Sequence, residues 1–523
     1  VVNQRRRGRP PGLVSDATPA NSLELDADIR AGWLMRSWRL HLSPDSNARS
    51  FAGRLTALGH SADASRVSRW ETGRLPVPLH VVSAYEQALD LPRGILVALT
   101  MVTRRLAHPR GDLRQVLDPR HVAPSRFQEA LDLVVDGDPC GGDWLDVASF
   151  AASHPGKTIL PTSLWQQLVR RLVQEHVISV GAAYATRNQA AQLLGLHPTA
   201  RRALVLSVGE HVADNRSLVV ADAISLLKQV EDPGAADLAI RLLTHPDEAT
   251  RNGAISAVVG KLARGQLDRA RLAALEATLI EVVRLRGIDS GGLFARIGDV
   301  VALMPAEARW RVHRAAPVSV PRHRPSPPPA PLPRSLVAQS VRAIARPGDE
   351  PEEPMIERLV EEALTHRISE RRFQASLSIA LSPYCARVAR GAAMQLREHA
   401  EADPALGERM MVLLTLVATQ EQRGHMRALA EDPSSAMRVG ALLATAHLPL
   451  PGAPSERADL WALTSAGEAD EATLRASIYC AGMTGDPILA AVEADDRQPQ
   501  WVRASAGWWR QHGPGIHESP PLF

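Results

Sequence analysis

Three cysteines, three lysines and 4% aromatic residues are little for a chain of 523 residues. Cys140, Cys385 and Cys480 are odd in number and far apart, and none belongs to a CxxC pair. They therefore imply neither a disulfide framework nor a zinc knuckle, and a reducing, cytoplasmic setting is expected. The lysines are Lys157, Lys228 and Lys261, so arginine supplies almost all of the 60 basic residues. That bias suits a GC-rich coding sequence and says little about chemistry. Long apolar runs are missing as well. Apolar runs without a charge, such as Gly94–Thr103 and Met410–Thr419 at 10 residues each, fall short of the about 20 that a membrane span needs. The basic start is not followed by an apolar stretch, so no secretory signal is expected.

Catalytic motifs are scarce too. There is no HExxH and no GxSxG. His154–Pro155–Gly156–Lys157–Thr158 imitates the end of a phosphate-binding loop, but position 151, where the first glycine belongs, is alanine and no strand precedes it. The 18 histidines are scattered and often stand beside proline, as at His108, His154, His197 and His245, which points to surface turns. Asp495–Asp496 reads as a loop before the helix of Arg503, and Trp508–Trp509 as the closure of a terminal core. No enzyme activity, cofactor or metal is expected.

What is present is helix-forming sequence. Hydrophobic residues make up 45% of the chain, and Ala, Leu and Arg recur throughout. No window alternates like a strand, so the chain reads as all-α. Its length calls for several units. Although the net charge is only +3, residues 1–120 carry +7 and the remainder −4. A basic front on a mildly acidic body is what a polyanion-binding head would show.

Residues 1–22 read as a flexible basic arm and 23–100 as a compact set of short helices. A helical connector, 101–160, is broken by Pro109, Pro119, Pro124, Pro139 and Gly141–Gly142. Helix-length amphipathic segments fill 161–315, with turns at Pro198, Pro233 and Pro246. Residues 316–334 are proline-rich, and such a run neither continues a helix nor donates to a ladder, so an extended linker is expected. Helical segments resume over 335–513, and 514–523 is a tail.

Within both helical regions a degenerate unit recurs. His245–Ala254 and Asp432–Ala441 each run from Pro five steps to Arg, two more to Gly and one to Ala. Looser copies are Pro198…Arg202, Pro383…Arg387, Glu471…Arg475 and Pro499…Arg503. After Arg251 the apolar positions 254, 255, 258, 259 and 262 share one helical face. The pattern resembles HEAT-like repeats, which implies an α-solenoid-like body in two halves with a concave surface for a protein, peptide or ligand signal. An ordinary helical bundle with similar caps is the other reading.

The most specific string is Ser65–Arg66–Val67–Ser68–Arg69–Trp70–Glu71–Thr72–Gly73–Arg74, followed by Pro76 and Pro78. Val67 and Trp70 would anchor a short helix while Ser65, Arg66, Ser68 and Arg69 face outward. Asp63 suits the N-cap and Gly73 a left-handed residue just past the end. Leu79–Leu91 supplies a packing helix with apolar positions 79, 81, 82, 85, 88 and 89. Val-Ser-Arg-Trp-Glu-x-Gly-Arg-x-x-Pro resembles the recognition helix of the repressor/Cro-like (XRE) helix-turn-helix family. Ile29–Arg30–x–x–Trp33–Leu34–x–x–x–Trp38–Arg39 resembles its first helix, and Phe51–Ala52–x–x–Leu55 its scanning helix. Both turns between these helices are longer than the family's. The resemblance spans about 26–100. It implies that Ser65, Arg66, Ser68 and Arg69 touch bases or nearby phosphates and that Arg74 touches the backbone. It also makes Trp70 and Glu71 structural, with the carboxylate bridging to a first-helix arginine such as Arg36.

Arg5, Arg6, Arg7, Gly8 and Arg9 place Arg-Gly-Arg-Pro in a basic setting that resembles an AT-hook. Two readings stand: minor-groove insertion of the arginines, and sequence-independent attraction to phosphates. The expected partners are double-stranded DNA and a protein or peptide on the body, without a membrane; a homodimer is one expected assembly. The sequence therefore reads as a bacterial DNA-binding transcriptional regulator. The alternative is a helical scaffold localised to DNA by its head.

Overall fold

The computed structural model describes residues 13–22, 24–43, 47–108, 113–285, 291–315, 334–348, 351–432, 437–448 and 470–518. Among them are 26 α-helices and two strands of two residues each, so the chain is all-α. Five helices form the head: α1 (Ala27–Leu42), α2 (Ala48–Ala57), α3 (Ala64–Glu71), α4 (Leu79–Ala88) and α5 (Ile95–Ala107). A first run follows: α6 (Pro124–Asp136), α7 (Gly141–Ser153), α8 (Thr162–Val177), α9 (Gly181–Leu194), α10 (Pro198–Ala213), α11 (Val220–Ser225), α12 (Pro233–Leu242), α13 (Glu248–Ala263), α14 (Arg269–Leu285), α15 (Gly291–Leu303) and α16 (Ala306–Ala315). The second comprises α17 (Arg334–Ala345), α18 (Pro354–Thr365), α19 (Ser369–Ala380), α20 (Cys385–Ala402), α21 (Pro404–Val417), α22 (Arg423–Glu431), α23 (Arg438–His447), α24 (Glu471–Thr484), α25 (Ile488–Ala494) and α26 (Gln500–His512). The strands β1 (Ser179–Val180) and β2 (Ile516–His517) pair in parallel.

The prolines do what their chemistry allows at helix starts. Pro124, Pro198, Pro233, Pro354 and Pro404 occupy the first turn, where a missing N–H costs nothing. Asp232, Asp247, Asp403 and Asp470 cap the helices behind them with their carboxylates. In the first run helices pack against the helix two places further along, α7 on α9, α8 on α10 and α11 on α13, whereas in the second run successive helices pack most closely, α18 on α19, α20 on α21, α23 on α24 and α25 on α26. The apolar stripe of α13 faces inward, with Ala254, Ile255 and Val258 buried.

The arginines have a structural task that composition alone does not reveal. A helix ends with carbonyls that lack intrahelical partners, and arginines from neighbouring elements bond them. Arg171 donates to Val134 O and Gly137 O, both at 3.0 Å, at the end of α6. Arg387 donates to Ala345 O at 2.6 Å at the end of α17 and to Pro351 O at 2.8 Å. Arg409 holds Leu364 O at 2.6 Å in the last turn of α18. In the repeated unit, Arg251 turns back onto His245 O at 2.8 Å and Pro246 O at 2.6 Å. The corresponding Arg438 reaches Ala430 O at 3.0 Å; Pro433–Ala436 of that copy lie outside the described residues.

One expectation needs correction. A boundary at residue 100 falls inside α5, which runs to Ala107 because its apolar stretch is buried from end to end, Ile95 through Met101. The proline-rich residues 316–333, read as an extended linker, lie outside the described residues, and several side-chain contacts join the segments on either side of them. Trp38 of α1 is fully buried and donates to Leu381 O at 3.0 Å. Trp33 stacks on Tyr384 at 6.0 Å, and both donate to the Glu353 carboxylate at 3.1 Å. Arg30 bridges Asp16 and Glu362. Arg105 of the head and Lys228 of the first run converge on Glu370 of the second. The second run thus packs on the head and on the first run together.

Candidate nucleic-acid interface

Helix α3 begins where the Asp63 side chain accepts from Arg66 N at 2.7 Å. It ends before Gly73, whose φ of +68° suits only a residue without Cβ strain. Val67 is fully buried and Trp70 is 4% exposed. Ser65, Arg66, Ser68, Arg69 and Arg74 are all exposed. The division into anchor and outward face is therefore the one read from the sequence. It follows from helix periodicity: 67 and 70 share one face, while 65, 68 and 69 share another.

The helix is locked to α1 at very close range. A Cβ on Gly32 would stand 2.3 Å from Trp70 O, and one on Gly73 would stand 2.6 Å from Ile29 Cα. Glu71 is buried and does bridge back to α1, but to Arg39 rather than Arg36. Arg39 Nε and Nη2 each donate to a separate Glu71 oxygen at 2.6 Å, and Tyr85 OH of α4 donates to Glu71 at 3.2 Å. Burial opposes the Arg39 charge, yet the Glu71 hydrogen bonds and charge outweigh it and hold its pKa above the ordinary value. Phe51 of α2 lies 5.8 Å from the Arg39 guanidinium and 4.7 Å from the Tyr85 ring. One fork-to-fork ion pair under an aromatic lid thus fixes four helices.

The outward face is chemically open. Arg66 donates to Ser61 O at 3.2 Å and Arg69 to Ser65 O at 3.4 Å, both weak backbone contacts at the surface. Among the described residues no carboxylate pairs with Arg66, Arg69 or Arg74. The exposed Arg49, in the first turn of α2, is a further cation that the sequence reading did not single out. The long turn between α2 and α3 is absorbed by Leu58–Asp63 with Gly59 at φ +85°. Arg5, Arg6, Arg7, Gly8 and Arg9 lie outside the described residues.

Elsewhere one histidine departs from the surface turn expected for it: His197 is 4% exposed, caps α10 and lies 4.7 Å from the Trp165 ring. Lys157 is exposed in a turn behind α7, a helix and not a strand. Asp495 and Asp496 sit in the turn before α26, paired with Arg497 and Arg503. Trp508 and Trp509 are each 1% exposed and close the core of α26. Cys385 and Cys480 are buried, and burial pushes both thiols up to about 12. Among the described residues no three His, Cys, Asp or Glu side chains are grouped to hold a metal ion, and no helix is long and apolar enough to cross a membrane. No protein-family model, curated protein or solved structure matches the chain.

Proposed function

We propose that the chain is a sequence-specific binder of double-stranded DNA that regulates transcription, reading the major groove with α3. One observation carries this: Ser65, Arg66, Ser68 and Arg69 on α3, with Arg74 just past its end, are exposed and have no carboxylate partner among the described residues, while the other face of the helix is bolted to α1. Such a helix presents guanidinium groups able to bond guanine O6 and N7, at no cost in broken ion pairs. The body is a HEAT-like solenoid in this reading. Packing of first-run helices on the one two places along and of successive helices in the second run, with arginine clamps between neighbours, supports it. A stacked body of this kind offers its surface to a protein or peptide signal. The experiment is selection of duplexes from a random pool by the full-length chain. Enrichment of a defined motif is expected. Recovery of unenriched sequence at low salt and none at physiological salt would reject specific reading.

A further inference from the structure

Helices α8 and α9 and the start of α7 build a receptor for a carboxylate. Arg187 of α9 is 1% exposed. Its Nε donates to Glu175 at 2.9 Å and its Nη2 to Pro139 O at 3.3 Å. Glu175 is shared: Arg171 Nε donates to it at 2.8 Å, and so does Trp144 Nε1, also at 2.8 Å. Two guanidinium groups therefore face one carboxylate, which leaves a surplus positive charge and the Nη1 of Arg187 pointing toward the first turn of α7. There Gly141 N is a donor with no intrahelical acceptor. Its residue must be glycine, because a Cβ would stand 1.8 Å from Thr186 Oγ1.

The chain fills this receptor with its own Glu518. Gly141 N donates to both carboxylate oxygens, at 2.9 and 3.0 Å, and Arg187 Nη1 donates at 2.7 Å. The second carboxylate balances the second arginine. The approach is extended: Ile516 N donates to Ile178 O at 2.9 Å, and β2 pairs with β1 at Ser179↔Ile516 and Val180↔His517. Gly515 N meanwhile donates to Met483 O of α24 at 2.9 Å. Four consecutive residues thus fasten the second run to the first. Here the backbones of the two runs lie side by side. The two runs also meet through side chains, as Ser505 Oγ with Arg216 O and Arg475 with Asp247.

We propose that the groove beside β1 is an acceptor site for an extended peptide carrying a carboxylate side chain, and that Gly515–Glu518 is its resident, releasable occupant. The segment is then a clasp between the two helical runs. A buried guanidinium deprived of one of its carboxylates is costly, so an emptied receptor binds another acidic strand or keeps its own. The pairing is strand addition with a charge-reading pocket at its end.

The test uses the full chain carrying Glu518→Lys, with Glu518→Gln beside it in case the lysine chain does not fold. Limited proteolysis between α26 and residue 518 is expected to accelerate roughly tenfold in the lysine chain and less in the glutamine chain. A labelled synthetic peptide, Gly513–Phe523, is expected to bind the variant chains by fluorescence anisotropy and not the wild type, whose site is filled. The same peptide with Glu518→Ala is expected not to bind. Wild-type protease resistance in the variants, or refusal of the native peptide by both of them, overturns the proposal.

Discussion

Glu71 is the residue on which the head depends. Its carboxylate is buried, satisfied by two Arg39 nitrogens and the Tyr85 hydroxyl. Removing one partner of such a pair leaves the other charge buried and unpaired. Glu71→Ala is expected to lower stability by roughly 3–5 kcal/mol in urea unfolding, and a loss under about 1 kcal/mol would show that the pair is not buried in solution. That Glu71 is structural was legible from the Trp-Glu-x-Gly string. Its partner was not: Arg36 and Arg39 stand three residues apart on α1 and share much of one face, and only the docking angle of α3 chooses between them. The same periodicity made the outward face readable. Val67 and Trp70 could not be buried without turning Ser65, Arg66, Ser68 and Arg69 to solvent.

At the scale of the element, arginine works as a fastener between helices. The guanidinium reaches the terminal carbonyls of a neighbour, where the helix dipole is negative, and its fork spans two acceptors at once. Arg387→Met keeps much of the stem and loses the bonds to Ala345 O and Pro351 O. It is expected to cost about 1–3 kcal/mol by denaturant titration, because those carbonyls lose a charged donor. Arg387→Lys is expected to restore only part of this. Composition pointed instead to codon bias, since a clamp of this kind depends on contacts between segments distant in sequence. The helix starts were the most legible elements, because Pro and Asp act locally through φ and capping. Strands β1 and β2 were illegible: two residues each, with partners more than 300 positions apart.

Glu370 belongs to the same scale, as the point where three segments meet. Burial works to raise its pKa, but Lys228 and then Arg105 outweigh it and hold it at about 2, below the ordinary 4.5. A carboxyl with a depressed pKa stabilises the fold above its unfolded value and loses that contribution as pH falls toward its folded one. The Glu370 contribution should therefore be complete above about pH 5 and disappear between pH 4.5 and about 2. Melting of wild type and Glu370→Gln across that window checks it. The two curves are expected to converge as pH falls, and a gap that stays constant would contradict the assignment.

For the whole molecule, the second helical run holds α1 from the side opposite α3. Trp33, Trp38 and Arg30 are gripped by Glu353, Leu381 O and Glu362, so the reading head is built into the body. The sequence suggested an extended linker because proline excludes regular structure locally, and a linker's composition says nothing about how the segments it joins dock. Cleavage within residues 316–333 is expected to leave the two pieces together in gel filtration at physiological salt, separating only in denaturant. Separation without denaturant would restore the picture of independent halves.

The central claim is that the exposed face of α3 reads DNA. Full-length chain with Arg66→Ala and Arg69→Ala together should unfold like wild type, within about 0.5 kcal/mol, since both side chains are at the surface. Its affinity for the selected duplex, titrated at fixed salt, should fall by roughly 1–3 kcal/mol for each arginine that reads a guanine, while binding to an unrelated duplex changes far less. Undiminished specific binding by this folded double variant would contradict the account.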